Sequence, residues 1–291
     1  MAPLADFENH RPRLWAVAYR LTGSVADADD ALQEAWLRWQ FLPDGEAANP
    51  AAYLTTVVSR ICFDQLGSAR SRRETYVGPW LPEPVVGDVP GPEDRVTLDE
   101  SVGMALLAVL EKLTPAERTA FILHDCFSVP FTEIAEVVGR TPTSVRQLAS
   151  RARKRVRAET PRCSVDRSEH RRTVDAFLAA AMNGDFESLL SVLDPEVVWR
   201  SDGGGKVSAA RRPVCGRENV ARFARGVSRH FDPLSMRVVV RDVNGAPGIV
   251  SVDPAHGRVT VLAFTVHEGR ITEVYAVANP DKLRHLDPME L

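Results

Sequence analysis

Long apolar runs are absent from this sequence. None of its 291 residues lies in a window that approaches the roughly 18 uninterrupted apolar residues of a membrane-spanning helix. Residues 1–13 also lack the apolar core of a secretory signal peptide. Together these absences predict a protein that resides in the cytoplasm and has no membrane partner.

Cysteine is scarce, and its spacing excludes two further classes of protein. The four cysteines, Cys62, Cys126, Cys163 and Cys215, are far apart and form no C-x-x-C pair. Such spacing predicts neither a zinc site nor a disulfide framework, so the cysteines are expected to be reduced. We predict no metal and no cofactor.

A large net charge is missing as well, because the formal net charge is only −3. That average conceals a basic segment, residues 140–162, in which seven arginines and Lys154 stand against one acidic residue, Glu159, for a net charge of +7. Hydrophobic residues at 44% and charged residues at 26% are typical of folded soluble domains. The length allows two or three such domains.

Proline and glycine divide the chain. Residues 76–100 contain five prolines and three glycines, which prevent a long helix and predict an extended linker. A second, short polar linker is predicted at residues 160–167, before a new amphipathic segment that opens at Ser168. We therefore expect three folded units, at residues 1–75, 101–159 and 168–291.

The periodicity of the apolar residues sets the fold class. Apolar residues recur at three- and four-residue steps in the first two units, which predicts two all-α domains. The third unit mixes both patterns and is expected to be an α+β domain, with a curved antiparallel sheet and helices on one face. Its predicted helices cover residues 169–182, 186–193 and 218–231, and its predicted strands cover residues 236–243, 259–266 and 271–277, the last two joined by a tight turn at residues 267–270.

A helix-turn-helix is predicted in the middle unit. A helix at residues 131–139 is followed by a tight turn and by a second helix that runs from Pro142 to about residue 158. Ala135 is small enough for the helices to approach, Gly139 can take a positive φ, and Val145 can lock the second helix. Thr141 is the expected N-cap of that helix.

The second helix has one apolar and one polar side. Its predicted buried stripe consists of Val145, Leu148, Ala149, Ala152 and Val156. The expected DNA-binding side chains are Thr143, Ser144, Arg146, Gln147, Ser150, Arg151 and Lys154, with Arg146 and Gln147 at base edges and Arg151, Arg153, Lys154 and Arg155 at the phosphates. The alternative is a solvated basic helix in an ordinary bundle.

Two amphipathic helices are predicted in the first unit. Ser24 is the expected N-cap of the first helix, and Asp27 lies three residues further on, as in a capping box. Asn49 and Pro50 begin the second helix, which ends in the basic run Arg70, Arg72 and Arg73. Taken alone, both helices also fit a generic helical domain whose acidic face is simply solvated.

The order of these motifs resembles a known family. Asp27-Ala-Asp-Asp-Ala-Leu-Gln-Glu-Ala-Trp-Leu-Arg38, Asn49-Pro-Ala-Ala-Tyr-Leu-Thr-Thr-Val-Val-Ser-Arg60 and the helix-turn-helix are similar to regions 2 and 4 of bacterial RNA polymerase sigma factors of the extracytoplasmic-function type. The resemblance implies promoter DNA and core RNA polymerase as partners, with contacts to the β′ clamp helices and the β flap. It assigns polymerase docking to Asp27, Asp30, Gln33 and Glu34.

The same resemblance implies roles in reading the promoter. Residues 42–49 and the helix after them would open the minus-ten element, with Arg60, Arg70, Arg72 and Arg73 as DNA-binding residues, and region 4 would read the minus-35 element. Gly67 departs from the arginine expected in the basic stretch, which leaves the melting contacts open.

Three further strings resemble a subgroup of these sigma factors that carries a SnoaL-like C-terminal extension: Trp80-Leu-Pro-Glu-Pro84, Asp202-Gly-Gly-Gly-Lys206 and Asn279-Pro-Asp-Lys-Leu283. The residues expected to make regulatory contacts are Trp80, Leu81, Pro82, Glu83, Pro84, Asp202, Gly203, Gly204, Gly205, Lys206, Asn279, Pro280, Asp281, Lys282 and Leu283. The glycine string predicts a loop that lets another backbone come close, and a simple hairpin turn is the alternative.

The extension has several candidate roles. SnoaL-like domains include cyclases and isomerases, and Asp202, Asp253 and His267 are the acid or base candidates, but no feature of the sequence places any two of them together. We expect no enzymatic activity and prefer a domain that folds back on the helical units and regulates them in cis. The alternatives are a pocket for an unidentified small ligand, an enzyme fused to a DNA-binding module, and a repressor that binds duplex DNA without polymerase.

Overall fold

The structure is a computed structural model that describes residues 4–43, 46–74, 76–87, 103–160, 166–229 and 236–289; for residues 4, 5 and 68–74 it describes the backbone alone. The chain divides into two compact units. The helical unit comprises Met1–Thr75 and Leu106–Thr160, and the α+β unit comprises Tyr76–Ala105 and Pro161–Leu291. No helix among the described residues is long and apolar enough to cross a membrane.

In its described residues the helical unit is built from helices and the loops between them. The helices are α1 (Leu4–Thr22), α2 (Val25–Gln40), α3 (Pro50–Glu74), α4 (Met104–Leu110), α5 (Pro115–Phe121) with a π-helical continuation at Ile122–Cys126, α6 (Phe131–Val138) and α7 (Pro142–Glu159). Helices α1 to α3 pack against one another, α7 packs against α5 and α6, and α3 also contacts α5 and α6. The two helical segments on either side of the proline-rich stretch therefore belong to one compact unit.

Local capping explains where these helices begin. The Ser24 hydroxyl accepts a hydrogen bond from the Asp27 amide, and the Thr141 hydroxyl accepts one from the Ser144 amide at 3.3 Å. Asn49 Oδ1 accepts a hydrogen bond from the Ala52 amide at 3.2 Å. Gly139 ends α6 with φ +66°, a left-handed conformation that favours glycine. The predicted helix-turn-helix and its capping residues are confirmed.

A buried arginine joins the helices that lie on either side of the proline-rich stretch in the sequence. Arg118 of α5 is 1% exposed and forms an ion pair with Glu111 at 2.6 Å. Its Nε and Nη2 atoms also donate to the carbonyl oxygen of Arg20 in α1, at 3.4 and 3.2 Å. Arg13 of α1 donates to the carbonyl oxygen of Phe127 at 3.2 Å. Long-range polar contacts therefore accompany the apolar packing between α1 and the α5 region.

The α+β unit is built on one seven-stranded sheet. Its elements are β1 (Val86–Gly87), α8 (Arg167–Asn183), α9 (Phe186–Val192), β2 (Leu193–Asp202), β3 (Val214–Cys215), α10 (Arg217–Ser228), β4 (Arg237–Val243), β5 (Ala246–Asp253), β6 (Arg258–His267), β7 (Arg270–Val277) and a 3-10 turn at Pro280–Lys282. The strand order is β1-β4-β5-β6-β7-β2-β3.

The sheet is mixed, which corrects the prediction of an antiparallel sheet. Neighbouring strands run antiparallel except β2 and β7, which pair in parallel with Trp199 opposite Val274. Antiparallel neighbours can be joined by a short hairpin, whereas β2 and β7 are separated by a long stretch of chain that includes α10. Three other neighbouring pairs, β4 to β7, follow one another as hairpins.

One face of this sheet carries the core of the unit. Phe177 of α8, Leu189 of α9 and Val220 of α10 are buried in one apolar cluster with Trp199 and Phe264 of the sheet. The Phe177 and Phe264 rings lie 5.3 Å apart, a distance typical of packed aromatic pairs. The prediction of helices on one face of the sheet is confirmed.

The first half of the predicted linker is part of this unit. Val86 and Gly87 pair with Val243 and Asp242 at the edge of the sheet. The Val85 amide donates to Asn244 Oδ1 at 3.2 Å, and the Asn244 amide donates to the Val85 carbonyl oxygen at 2.9 Å. Residues 88–100 of the linker, and residues 161–165 of the second linker, lie outside the described residues.

Candidate functional site

The outward side of α7 is the candidate nucleic-acid interface. Its predicted stripe, Val145, Leu148, Ala149, Ala152 and Val156, is buried. The predicted DNA-binding side chains Thr143, Arg146, Gln147, Ser150, Arg151 and Lys154 are exposed, and Ser144 is half-buried. The structure therefore presents the predicted set on one accessible surface.

Several basic side chains of α7 have partners inside the helical unit. Arg153 makes two hydrogen bonds to Asp125, at 2.8 and 3.1 Å, and these raise the pKa of its guanidinium. Arg155 lies 3.5 Å from Glu159, and Arg151 lies 3.7 Å from Glu117. The bidentate pair directs Arg153 toward the body of the unit, so it is less suited to a phosphate contact than the other predicted cations.

The outward side of α2 is the candidate polymerase surface. Asp30, Gln33 and Glu34 are exposed, and Asp27 beside the N-cap is half-buried. Glu34 forms an ion pair with Arg38 one turn further on. The sequence analysis missed two apolar side chains near the C-terminal end of α2, Leu37 (48% exposed) and Phe41 (81% exposed). In the sequence, each of them is an apolar residue on the side of α2 where the helical period otherwise places polar residues.

The predicted minus-ten residues are described unevenly. Arg60 of α3 is exposed and lies 3.8 Å from Glu136 of α6. Arg70, Arg72 and Arg73 belong to the last turns of α3, where the backbone alone is described. Residues 44 and 45 of the predicted loop 42–49 lie outside the described residues.

Asp202 lies at the centre of the second candidate site. Its side chain is fully buried, and its Oδ2 accepts hydrogen bonds from the Leu81 amide at 2.9 Å and from Lys282 Nζ at 2.8 Å. Its Oδ1 accepts from the Tyr76 hydroxyl and from the Gly204 amide at 3.1 Å. We call Tyr76, Trp80, Leu81, Asp202, Asn279 and Lys282 the Asp202 cluster.

Lys282 completes the cluster. It is 4% exposed, and its ammonium lies 3.4 Å from the centre of the Trp80 ring and 5.2 Å from that of Tyr76. It also donates to the Leu81 carbonyl oxygen. A buried ammonium needs a counter-charge and hydrogen-bond acceptors, and Asp202, the carbonyl and two aromatic faces supply them here.

The glycine string allows another backbone and side chain to come close. Gly204 has φ +60°, and a Cβ there would lie 2.4 Å from Asn279 Nδ2. A Cβ on Gly203 would lie 2.8 Å from the Ala209 Cβ. Lys206 forms an ion pair with Asp281, which Arg284 also contacts at 2.6 Å, and the hydrogen bond from Lys206 lowers the pKa of Asp281. All three predicted strings therefore meet within the α+β unit.

Tyr76 is a cluster residue that the sequence analysis missed. Its hydroxyl donates to Asp202 and accepts from Asn279 Nδ2 at 2.8 Å. Burial, followed by the neighbouring Asp202 carboxylate, raises the pKa of this phenol. No local pattern marks a lone tyrosine before a proline-rich stretch, because its partners lie 126 and 203 residues away.

The remaining residues of the three strings support this arrangement. Leu81, Pro82, Pro84 and Leu283 are buried, Glu83 is half-buried, and Pro280 and Asp281 are exposed. The Pro84 carbonyl oxygen lies 2.9 Å from His285 Nε2.

The acid and base candidates of the enzyme hypothesis are not brought together. The Asp202 carboxylate already accepts four hydrogen bonds. Asp253 ends β5 and pairs with His256 at 2.8 Å, whereas His267 ends β6 beside the β6–β7 turn. Because Asp253 pairs with Arg258 at the start of β6, His267 is nine residues further along that strand, or about 30 Å away.

A small cavity adjoins the glycine string. It has a volume of about 140 Å³ and is lined by Val77, Gly78, Ser201, Gly203 and Arg211, among others. A space of this size can hold a ligand of about the size of benzene. Among the described residues, no group of three or more histidine, cysteine or acidic side chains is arranged to hold a metal ion.

Comparison with known proteins assigns the chain to a family. The model of Sigma-70 region 2 matches residues 7–72, and that of Sigma-70, region 4, matches residues 103–156. The chain is 44% identical to the ECF RNA polymerase sigma factor SigJ of Mycobacterium tuberculosis, over 96% of this chain and 92% of that protein. It is 34% identical to a protein of that organism named "Probable ECF RNA polymerase sigma factor SigI", over 98% and 95% of the two chains.

The crystal structure of the extracytoplasmic function sigma factor SigJ of M. tuberculosis matches with a TM-score of 0.77 and 39% identity, and covers 97% of this chain and 98% of that one. The predicted fold class, two helical sigma domains followed by an α+β domain, is thereby confirmed. Since the similarity spans nearly the full length and both sigma-70 regions occur in order, the chain belongs to the extracytoplasmic-function family of RNA polymerase sigma factors.

Proposed function

We propose that this sigma factor binds core RNA polymerase in the cytoplasm and directs initiation at promoters that its two helical segments read. The observation that supports the proposal is that α7, whose N-terminus is capped by Thr141, exposes its polar side. A recognition helix contacts base edges through its N-terminal residues, and here these include Arg146 and Gln147. Region 4 would thus read the minus-35 element.

The polymerase would bind the outward side of α2. The resemblance assigns Asp27, Asp30, Gln33 and Glu34 to the β′ clamp helices, and region 4 to the β flap. Leu37 and Phe41, near the C-terminal end of α2, add exposed apolar area to the same side of the helix, and such area is typical of surfaces that a partner covers. Arg60, Arg70, Arg72 and Arg73 would contact the minus-ten element.

Transcription with purified core polymerase tests this proposal. Run-off assays on a promoter library should show that Arg146→Ala relaxes base preference at one minus-35 position. Lys154→Ala should weaken binding uniformly and lower the salt slope by about 1, because it loses one phosphate contact. If the wild-type protein neither associates with core polymerase nor initiates, the proposal is wrong.

Promoter binding requires the helical unit to open. The two promoter elements are about 25 base pairs apart, which is about 85 Å along B-form DNA at 3.4 Å per step. A compact body of about 130 residues is only about 40 Å across. Regions 2 and 4 therefore cannot reach both elements while α3 packs against α5 and α6.

We infer that the Asp202 cluster regulates this opening in cis. The segment between the two sigma regions begins at Tyr76, and the cluster holds Tyr76, Trp80 and Leu81 in the α+β unit. While the segment is held, it cannot act as a free tether between the regions. Release of Lys282 from Asp202 would free it, so weakening the cluster should favour the open, transcribing form.

Two lysines of the α+β unit allow a matched test. Lys282→Met removes the buried cation, whereas Lys206→Met removes a half-exposed ion pair of the same strings. We expect faster hydrogen exchange across residues 76–87 and increased run-off transcription for Lys282→Met, with little change for Lys206→Met. Unchanged exchange and transcription in Lys282→Met would rule out regulation through the cluster.

A further inference from the structure

Six arginines are concentrated in one short stretch of the α+β unit. Residues 211–229 contain Arg211, Arg212, Arg217, Arg222, Arg225 and Arg229, against the single acidic residue Glu218, for a net charge of +5. The whole chain carries −3, so the charge of this stretch is a local excess. We call the three that lie on the outward side of α10, Arg222, Arg225 and Arg229, the arginine surface.

The helical period places three of them on one side of α10. Val220, Ala221 and Ala224 are buried in the core of the unit. Arg222, Arg225 and Arg229 follow at steps of three and four residues, so they line the other side over about 10 Å of helix axis. Arg222 and Arg229 are exposed, and Arg225 lies 5.2 Å from the centre of the Phe186 ring.

Several other arginines of this unit form ion pairs with carboxylates. Arg167 pairs with Asp242, Arg171 with Asp175 at 2.9 Å, and Arg200 with Glu273 at 2.6 Å. Within the described ranges, no arginine of the surface forms an ion pair with a carboxylate; Arg222 instead donates to Asn219 Oδ1 at 3.2 Å. Because no neighbouring carboxylate neutralises these cations, they can attract an external anion electrostatically.

We propose that the arginine surface binds the phosphate backbone of duplex DNA, as a second contact that is independent of sequence and separate from α7. Guanidinium groups match phosphate oxygens in two-pronged hydrogen bonds. The 10 Å of helix axis between Arg222 and Arg229 corresponds to about three base-pair steps. DNA is the polyanion that a promoter-binding protein already meets.

Two features of α10 argue against other anionic partners. A helix that binds a membrane surface inserts its apolar side into lipid, but the apolar side of α10 is buried against the sheet. A protein interface has an apolar centre, whereas Val227 is the one exposed large apolar side chain that the described part of the chain places on this helix.

A short segment of chain joins the unit that carries α7 to the unit that carries the arginine surface. Glu159 ends α7 and Asp166 caps α8, and seven peptide steps can span at most about 25 Å. Such a short tether gives the second contact a high effective concentration once the first is made. Even a weak phosphate contact would then lengthen the residence of the protein on DNA.

Fluorescence anisotropy of the full-length protein on a random-sequence 40-base-pair duplex tests the proposal without polymerase. The double variant Arg222→Gln/Arg229→Gln should bind more weakly and show a salt slope lower by about 1.8, because each lost phosphate contact removes about 0.9. Arg258→Gln/Arg270→Gln is the matched control, since it removes two exposed arginines of the same unit elsewhere on the sheet.

A second pair of measurements separates this proposal from the function of α7. In an Arg146→Ala/Lys154→Ala background, the salt slope of DNA binding should still decrease when Arg222→Gln/Arg229→Gln is added. This holds whether or not the protein supports transcription. Equal losses in the test and control variants would mean that net charge alone matters and would overturn the proposal. Tighter binding to single-stranded RNA of the same length would replace DNA by RNA as the partner.

Discussion

Polar side chains serve different purposes in the helical unit and in the α+β unit. In the helical unit most of them act locally: Ser24, Asn49 and Thr141 each cap a helix by accepting from an amide three residues ahead. In the α+β unit, Asp202 joins residues 80 to 126 positions away and is completely buried. Local caps therefore set where helices begin in one unit, whereas a single buried carboxylate joins distant segments of the chain in the other.

Removal of the cation from the Asp202 cluster should have the largest effect. Lys282→Met leaves a fully buried carboxylate without its counter-charge, which should cost the α+β unit about 4 kcal/mol of unfolding free energy. Lys206→Met removes a surface pair and should cost less than about 1 kcal/mol. Denaturant titration followed by tryptophan fluorescence measures both. Similar losses would mean that stability is not concentrated at Asp202.

The buried arginine of the helical unit is the closest counterpart of Lys282. Arg118→Met removes the buried guanidinium that pairs with Glu111 and both donors to the Arg20 carbonyl oxygen, so we expect a loss of about 3 kcal/mol from the helical unit. Adding Glu111→Gln should restore part of that loss, because the second change removes the buried negative charge that Arg118 balanced. Helical circular dichroism during unfolding would report it. A double variant no more stable than Arg118→Met would exclude this coupling.

The contrast between local and long-range contacts also explains which features could be predicted from the sequence. Caps, the Gly139 turn and the buried stripe of α7 depend on residues within one or two turns, so sequence spacing predicted them. The cluster depends on partners far apart in the chain, so the strings were found but the Asp202–Lys282 pair and Tyr76 were not. Strand β5 was missed because it is buried on both faces and shows no alternation.

A buried histidine makes the stability of the α+β unit depend on pH. Burial lowers the pKa of His170 to about 4, with Arg167 acting in the same direction and Asp242 against it. The unfolded chain binds this proton near pH 6.5, so stability is present above that pH and is lost as pH falls toward 4. We expect a loss of about 2 kcal/mol between pH 7 and pH 5.

Substitution of the histidine isolates this effect. His170→Leu should flatten the dependence on pH, whereas His256→Gln, which changes an exposed histidine, should leave it intact. Unfolding free energies at the two pH values provide the measurement. A slope that persists in His170→Leu would assign the pH dependence to other groups.

The smallest effect is expected at a cap of the helical unit. Thr141→Ala removes the hydroxyl that accepts from the Ser144 amide and should cost about 1 kcal/mol, because one amide at the start of α7 loses its partner. Thr143→Ala changes an exposed threonine of the same turn that does not cap the helix, so it should change the unfolding free energy of the helical unit by less than half as much. A cost for Thr141→Ala equal to that of Lys282→Met would mean that local caps hold as much stability as the buried ion pair, and the contrast between the two units would fail.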